Sequence, residues 1–200
     1  MQIILVDDHI IFRQGLKLLL EAEGHEIIAE LESAEALISK VQEVTVDLVL
    51  LDYRIPGGGS ITALEYIKKR YEKIKVFVLT GVTSGNLYKA LISSHADGVL
   101  MKMGSADELL AAIDAMNSGE RYISKMVLEK ISHEGAELTS RELQVLDLIF
   151  EGLNNSKIAE RLTISNKTVD KHRTSLMRKL DVSNVVELMH VARQQGYLDD

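Results

Sequence analysis

Short apolar runs alternate with longer amphipathic segments along the first 118 residues. The clearest run, Leu48 to Leu51, has no polar alternation, which is typical of a strand buried on both faces of a parallel sheet. In the longer segments apolar residues recur at helical spacing, and Ser33 and Ser105 stand where N-caps are expected. This pattern predicts five strands and five helices in a doubly wound α/β fold with a parallel sheet. The first helix is expected to bury Ile11, Phe12, Gly15, Leu16, Leu18, Leu19 and Leu20.

The apolar pattern changes after residue 118. Residues 119–136 are largely polar with two glycines, and we expect them to form a linker. Residues 137–200 then predict four helices, the first beginning near Thr139 and stopped by Gly152. The other three are expected at 154–162, 167–180 and 185–195. The four helices predict an all-α, four-helix domain. The short turn between the second and third helices indicates that it contains a helix-turn-helix.

Polar residues follow four of the five predicted strands. Asp7 and Asp8 follow the first, Asp52 ends the third, and Thr80 and Lys102 follow the fourth and fifth. In a sheet of flavodoxin-like order, 2-1-3-4-5, these four strands are neighbours, and their carboxyl ends meet at one edge. Each residue taken alone is better explained as a helix cap, a loop carboxylate or a salt-bridge partner. Their coincidence at one edge predicts a shared site.

Three carboxylates at one edge repel one another unless a cation lies among them. Ligands that offer only oxygen favour Mg²⁺, usually together with phosphate oxygens. A carboxylate beside the ion, here Asp52, can act as a nucleophile and form an acyl phosphate. Lys102 would supply a positive charge and Thr80 a hydroxyl to the phosphoryl oxygens. The cluster therefore predicts a phosphoryl-accepting site that binds Mg²⁺.

Composition and charge add two expectations. With 46% hydrophobic residues, no cysteine and no apolar run of ~18 residues, the chain is expected to be a soluble cytoplasmic protein without disulfides or membrane spans. Its net charge of -7 is unevenly spread, since residues 154–180 hold 7 basic and 2 acidic residues. An acidic first domain followed by a basic helical stripe indicates different partners for the two parts, and the stripe suits DNA.

Residues 1–118 resemble the receiver domain of bacterial response regulators. The segments that carry the resemblance are Val6-Asp7-Asp8-His9, Leu51-Asp52, Pro56-Gly57, Val78-Leu79-Thr80 and Gly98-Val99-Leu100-Met101-Lys102. The resemblance implies that a sensor histidine kinase phosphorylates Asp52. It also implies that Asp8 binds Mg²⁺ directly, while Asp7 acts through water or a hydrogen bond to Lys102. The main-chain carbonyl of Arg54 would be a further ligand.

Four positions differ from the usual receiver pattern. Val99 stands where an aromatic switch residue is common, so the usual coupling of Thr80 to a rotating ring lacks its ring. Ile55, Ser60 and Met103 replace a frequent methionine, glycine and proline. The residues expected in the active site are unchanged, and we therefore expect phosphorylation.

Residues 138–199 resemble the LuxR-type helix-turn-helix of the NarL/FixJ response regulators. The matching positions are Leu138-Thr139-Ser140-Arg141-Glu142, Leu146, Gly152, Asn155, Ile158-Ala159, Ile164-Ser165, Thr168-Val169, His172 and Met177-Arg178-Lys179-Leu180. With the first resemblance, this one implies a transcription regulator rather than an enzyme. Such a protein would bind double-stranded DNA, as a homodimer when phosphorylated.

The third helix of this domain has an apolar face and a basic face. On the basic face, we expect Lys171 and Thr174 to contact base edges. Lys167, Thr168 and Arg178 are expected to contact phosphates. This division predicts which side chains set base preference and which set overall affinity.

Asp170 lies on the same basic face. At this position, directly after the Thr-Val pair, the family commonly has lysine. A carboxylate there repels phosphates, so we expect it to act in specificity. It could hold Lys167, Arg173 or Thr174 in place, or it could accept a hydrogen bond from a cytosine amino group. We favour the side-chain pairing, because those partners lie within about one turn of the helix.

Three other functions fit parts of the sequence. An aspartyl-phosphate hydrolase would need a second aspartate two residues after Asp52 as general acid, and Arg54 stands there. A receiver used only for dimerisation would not need the intact acidic cluster. A nucleotide-binding domain would need a glycine-rich loop after the first strand, which the sequence lacks.

Overall fold

The computed structural model of the chain describes residues 1–56, 59–131 and 137–197. Its sheet has six strands: β1 (Gln2–Val6), β2 (Glu26–Leu31), β3 (Leu48–Asp52), β4 (Lys75–Thr80), β5 (Gly98–Met101) and β6 (Tyr122–Ile123). Their order is β2-β1-β3-β4-β5-β6, and all neighbouring strands are parallel. The predicted order of the first five strands and the doubly wound class are confirmed.

The strand count was wrong by one, because β6 extends the sheet beyond the predicted five strands. Tyr122 N donates to Asp97 O at 3.0 Å, and Ser124 N donates to Val99 O at 3.2 Å, so β6 pairs with β5. Two residues are too few to show an alternating pattern, and Gly119 just before them indicated a linker. The sheet thus continues into the segment that we expected to be linker.

Six helices occur along this part of the chain: α1 (Ile10–Ala22), α2 (Ala34–Lys40), α3 (Ser60–Arg70), α4 (Gly85–Ser93), α5 (Ala106–Asn117) and α6 (Lys125–Ile131). The apolar runs of the central strands are the core, and β3 is buried along its whole length. Ser33 and Ser105 cap α2 and α5 as predicted, accepting from Ala36 N and Glu108 N. These two helices therefore begin where a side-chain oxygen satisfies a free backbone N–H group.

The prediction for α1 was partly wrong. Leu20 is fully buried, but Ile11 is 87% exposed and Leu18 is 70% exposed. One stripe of a helix covers only part of its circumference. With so many apolar residues in its 13 positions, α1 must present some of them to solvent.

The C-terminal region contains four helices: α7 (Ser140–Phe150), α8 (Asn155–Leu162), α9 (Asn166–Lys179) and α10 (Val185–Gln194). Thr139 and Glu142 form a capping box at the start of α7, where the first helix of this region was predicted to begin. Between α8 and α9, Thr163 adopts a left-handed conformation with φ 54°, and Ile164 N donates to Ala159 O at 2.9 Å. The predicted helix-turn-helix is confirmed.

The chain forms two compact units. One contains Met1–Gly81 and Leu91–Leu128, and the other contains Val82–Ala90 and the described residues from Glu129 onward. Residues 132–136 of the predicted linker lie outside the described residues. Among the helices that are described, none combines the length and apolar character that a bilayer crossing requires.

Candidate functional site

The sheet places three aspartates at the ends of two adjacent strands. Val6 pairs with Leu51 in the β1–β3 register, so Asp7 and Asp52 follow at the same edge. One carboxylate oxygen from each of Asp7, Asp8 and Asp52 lies within 4.8 Å of the others. The structure therefore brings together the three carboxylates that the sequence predicted to meet.

Lys102 connects two of these carboxylates. Its Nζ lies 2.7 Å from Asp52 Oδ2 and 2.8 Å from Asp7 Oδ2. Both carboxylates are nearly removed from solvent, with Asp7 2% and Asp52 1% exposed. Because a buried charge without a partner is strongly unfavourable, the ammonium group stabilises the edge of the sheet.

Burial controls the ionisation of Asp52. It raises the pKa of this carboxyl to about 6, and the negative charge of Asp7 acts in the same direction. The hydrogen bond and charge of Lys102 and the N–H of Arg54 lower the pKa without cancelling the effect of burial. For Lys102 itself, burial lowers the pKa, but the two carboxylates outweigh it and raise the pKa above its usual value. A further cation at this edge would favour the ionised form of Asp52.

The loop after β3 orients Asp52. Arg54 N donates to Asp52 Oδ1 at 3.0 Å. Ser60 Oγ lies 3.0 Å from Asp52 O and 2.6 Å from Tyr53 O, and its hydroxyl donates to these carbonyls. Ser60, which replaces the usual glycine, is 2% exposed and ties α3 to this loop. The sequence did not indicate this role, because it depends on the folded path of the loop.

Thr80 ends β4 as predicted and is fully buried. In the sheet registers Asp52 pairs with Leu79, and Thr80 pairs with Met101. The backbone N of Lys102 donates to Thr80 O at 2.9 Å. Thr80 thus lies at the end of the strand between those that lead to Asp52 and Lys102.

The acidic cluster suits a divalent cation, because its carboxylate oxygens are the ligands that Mg²⁺ prefers. Asp7 Oδ2 is buried without a hydrogen bond of ordinary geometry among the described residues, and the ion pair with Lys102 offsets its charge. A ring nitrogen of His9 lies among these oxygens, and the four atoms are all within 4.8 Å of one another.

Helix α9 has the two faces that the sequence predicted. Val169 and Leu176 are fully buried, while Thr168 is half-buried with its Oγ1 2.8 Å from Ser165 Oγ, the N-cap. The other side chains expected to face DNA are exposed: Lys167, Asp170, Lys171, Thr174 and Arg178.

Asp170 has a partner that the sequence did not indicate. Its Oδ1 accepts a hydrogen bond from Nδ2 of Asn155, the first residue of α8. Helical spacing had suggested Lys167, Arg173 or Thr174 instead. The contact connects the two helices of the helix-turn-helix, so the Asp170 carboxylate has a partner across the turn.

A buried carboxylate anchors α9 to the start of α7. Glu142 is 3% exposed, and its Oε2 accepts from Thr139 N at 2.8 Å and from Lys179 Nζ at 2.8 Å. Burial opposes the ionisation of Glu142, but hydrogen bonds from Lys179, Thr139 and Ser175 outweigh it and lower the pKa to about 2. The ionised group therefore fixes the position of α9 at neutral pH.

Two protein-family models match the chain. Residues 3–114 match the response regulator receiver domain. Residues 136–192 match the bacterial regulatory proteins of the luxR family. The two matches follow one another in the order that the sequence predicted.

Known proteins resemble the chain over nearly its whole length. The response regulator UvrY of Escherichia coli is 33% identical, over 97% of this chain and 94% of the relative. The nitrate/nitrite response regulator protein NarP of Escherichia coli is 34% identical, over 98% and 96%. A solved structure of RcsB from Salmonella enterica serovar Typhimurium, bound to promoter rprA with phosphomimetic BeF3-, is 31% identical, covers 96% and 98%, and has a TM-score of 0.82. The chain therefore belongs to the NarL/FixJ-type response regulators, which join a receiver domain to a luxR-family helix-turn-helix domain.

Proposed function

We propose that this chain is a phosphorylation-dependent, DNA-binding transcription regulator of a two-component system, and that a sensor histidine kinase phosphorylates it on Asp52. One observation carries the proposal: the buried Asp52 shares its sheet edge with two more carboxylates, and the Lys102 ammonium lies 2.7 Å from its Oδ2. A purely structural carboxylate would be balanced by the lysine alone. The excess negative charge suits a bound cation and a phosphoryl group.

The proposed reaction transfers a phosphoryl group from nitrogen to oxygen. A carboxylate oxygen of Asp52 attacks the phosphorus of the kinase phosphohistidine, the P–O bond forms as the P–N bond breaks, and the leaving imidazole nitrogen takes up a proton. Charge on the phosphoryl oxygens must be stabilised during the transfer, so positioned cations and donors do most of the catalysis. Lys102 would contact one phosphoryl oxygen, and the hydroxyl of Thr80 would donate to another.

The proposed ligands of Mg²⁺ are Asp7, Asp8, Asp52 and the main-chain carbonyl of Arg54. When bound, the ion offsets the charge of the carboxylates and the phosphoryl oxygens. Asp8 is exposed and can bind the ion directly, whereas Asp7 is buried beside Lys102 and would act through that ion pair or a water molecule. Because Arg54 stands where a hydrolase has its general acid, the proposal includes no rapid turnover of the acyl phosphate.

The second part of the proposal concerns DNA. Helix α9 would enter the major groove, with Lys171 and Thr174 at base edges and Lys167, Thr168 and Arg178 at phosphates. Exposure of the basic face supports this assignment. The related RcsB is described bound to promoter DNA with a phosphomimetic, and as two dimers on two parallel DNAs. We infer that the chain binds double-stranded DNA as a homodimer. Because its proposed target is DNA, we also infer that the protein is cytoplasmic.

Intact-mass measurement after incubation with acetyl phosphate and Mg²⁺ tests the phosphorylation site. We expect one added phosphoryl group on the full chain, lost in Asp52→Asn and lost when EDTA is present. Asp47→Asn is the matched control, because Asp47 lies just before the opposite end of the same strand and binds Gln2 N instead. Equal labelling of Asp52→Asn and the unmodified chain would refute the assignment.

A further inference from the structure

A buried arginine lies beside the acidic cluster. Arg13, near the start of α1, is only 8% exposed, which is unusual for a side chain with a permanent charge. Its Nη1 donates to the main-chain carbonyl of Asp7, and its Nη2 donates to Glu32 Oε1 at 3.0 Å. Its Nε lies 3.4 Å from Glu30 Oε2, within the distance of an ion pair. The guanidinium group therefore connects the loop after β1 to the end of β2.

These contacts fix the peptide group that joins two of the proposed Mg²⁺ ligands. The carbonyl that Arg13 binds belongs to the planar peptide between Asp7 and Asp8. On the other side, Asp7 N donates to Leu31 O at 3.0 Å, so β2 holds the preceding peptide as well. Both carboxylates extend from this fixed segment, so its orientation determines where their oxygens can meet an ion.

The positive charge of Arg13 is balanced within the same group of side chains. Glu30 and Glu32 are its carboxylate partners, and Lys17 Nζ lies 2.7 Å from Glu30 Oε1. An unbalanced guanidinium group beside the cluster would repel a divalent ion. Here two cations face two carboxylates, so the group as a whole has little net charge. The main effect of Arg13 on the acidic cluster is therefore geometric.

We propose that Arg13 is a positioning residue of the phosphorylation site, which sets the affinity for Mg²⁺ by fixing the peptide between Asp7 and Asp8. The proposal rests on the metal site of the proposed function and adds a residue of α1 to it. Groups that hydrogen-bond to metal-binding residues typically contribute about 10–100-fold to metal affinity. Arginine suits this position because its planar, forked group holds several acceptors in a fixed geometry, whereas lysine acts as a single point charge.

Calorimetric titration of the full-length protein with Mg²⁺ is the first test. Arg13→Gln and Arg13→Lys should each weaken Mg²⁺ binding by about tenfold, because neither side chain reproduces the geometry of the guanidinium group. Arg13→Lys keeps the charge and the approximate length, so it remains informative if Arg13→Gln does not fold. Lys17→Gln is the matched control, since Lys17 belongs to the same group of side chains but pairs only with Glu30. It should change Mg²⁺ affinity by less than about twofold, because an exposed ion pair contributes little.

The rate of labelling by acetyl phosphate supplies the second readout. In the Arg13 variants the Mg²⁺ concentration that gives half the maximal rate should rise by the same factor as the dissociation constant. At saturating Mg²⁺ their rates should lie within about twofold of the unmodified chain, because the groups proposed to contact the phosphoryl group are unchanged. A side chain that served stability alone would change neither quantity in the folded protein.

The possible results separate this proposal from the proposed function. Unchanged Mg²⁺ affinity in the folded Arg13 variants, or a low rate that saturating Mg²⁺ does not restore, would overturn the positioning role. Full affinity in Arg13→Lys but not in Arg13→Gln would also overturn it, because charge alone would then suffice. If the unmodified chain neither binds Mg²⁺ nor is labelled on Asp52, the proposed function fails as well.

Discussion

At the scale of single residues, Asp52 combines burial with a neighbouring cation. Its folded-state pKa of about 6 lies above the ordinary value of 3.8, because burial outweighs the stabilising effect of Lys102. A raised pKa contributes stability below the unfolded-state pKa, and this contribution is lost as the pH rises through the folded-state value. At neutral pH the ionised Asp52 therefore lowers the free energy of unfolding. This is expected of a group that serves function rather than stability.

Asp52→Asn should stabilise the chain at pH 7 when metal is removed. We expect an increase of roughly 1–3 kcal/mol in the free energy of unfolding, because the substitution removes a buried charge. The difference should shrink as the pH falls from 6 and vanish below about 3.8, where both side chains are neutral. Urea unfolding in EDTA at several pH values measures this, with the exposed Asp47→Asn as control. A variant less stable than the unmodified chain at pH 7 would contradict the argument.

Asp170 should act through Asn155. Asp170→Ala removes a charge-assisted hydrogen bond on an exposed surface, so we expect a loss of about 0.5–1 kcal/mol, or roughly two- to fivefold, in affinity for a selected DNA site. Asn155→Ala should have the same effect, and the double variant should lose little more. Site selection with each variant is the measurement. Tighter binding with base preference lost at a single cytosine position would show instead that Asp170 contacts DNA.

The sequence located some of these residues and missed others for a physical reason. Asp7, Asp8, Asp52 and Lys102 could be found because parallel strands bring their ends to one edge, whatever the side-chain conformations. The contacts of residues such as His9 and Asn155 depend on which way a side chain turns in the folded loop or across a helix pair. Hydrophobic periodicity carries no information of that kind.

At the scale of secondary-structure elements, long periodic segments were predictable and short ones were not. The apolar run of β3 and the two faces of α9 each extend over several residues, so their burial patterns could be predicted. β6 has only two residues and forms because the neighbouring edge of β5 offers free backbone groups. Val99 is fully buried in β5, so the small side chain that stands at the expected switch position is part of the core.

The Glu142 contact should make the packing of α7 against α9 sensitive to acid. Glu142→Gln should lower the free energy of unfolding at pH 7 by about 1.5–3 kcal/mol, the range for hydrogen bonds to charged groups. Since the pKa is lowered to about 2 from 4.5, this stability is present above 4.5 and is lost as the pH falls through 2. Urea unfolding at pH 7, 5 and 3 should show equal differences at the first two values and a smaller one at pH 3.

The matched control for this prediction is Glu160→Gln, which changes an exposed glutamate of α8 in the same domain. It should leave stability nearly unchanged at every pH, because exposed charges contribute little. If the Glu142→Gln effect stays constant down to pH 3, the contribution of Glu142 to stability does not depend on its ionisation, and the protonated side chain stabilises the packing equally well.

At the scale of the whole molecule, a phosphoryl-accepting unit is joined to a unit whose described residues contain one helix-turn-helix. One such motif reads one half-site, and specific regulators of this kind usually bind two half-sites about one helical turn apart. Binding of the second half-site is then intramolecular, so a dimer gains affinity without any new contact to DNA. A change in self-association is therefore the simplest way for a modification at Asp52 to control DNA binding.

Phosphorylation should therefore shift the chain from monomer to dimer. Sedimentation of the full chain after acetyl phosphate and Mg²⁺ should show a larger association constant than before treatment, while Asp52→Asn should be unchanged and Asp47→Asn should respond normally. The phosphorylated chain should also prefer DNA with two half-sites over DNA with one, and the unphosphorylated chain should discriminate much less, because a monomer can occupy only one half-site at a time. Identical association constants for the fully phosphorylated and the unphosphorylated protein would exclude dimerisation as the switch. Asp52 would then control DNA binding through a change within the monomer.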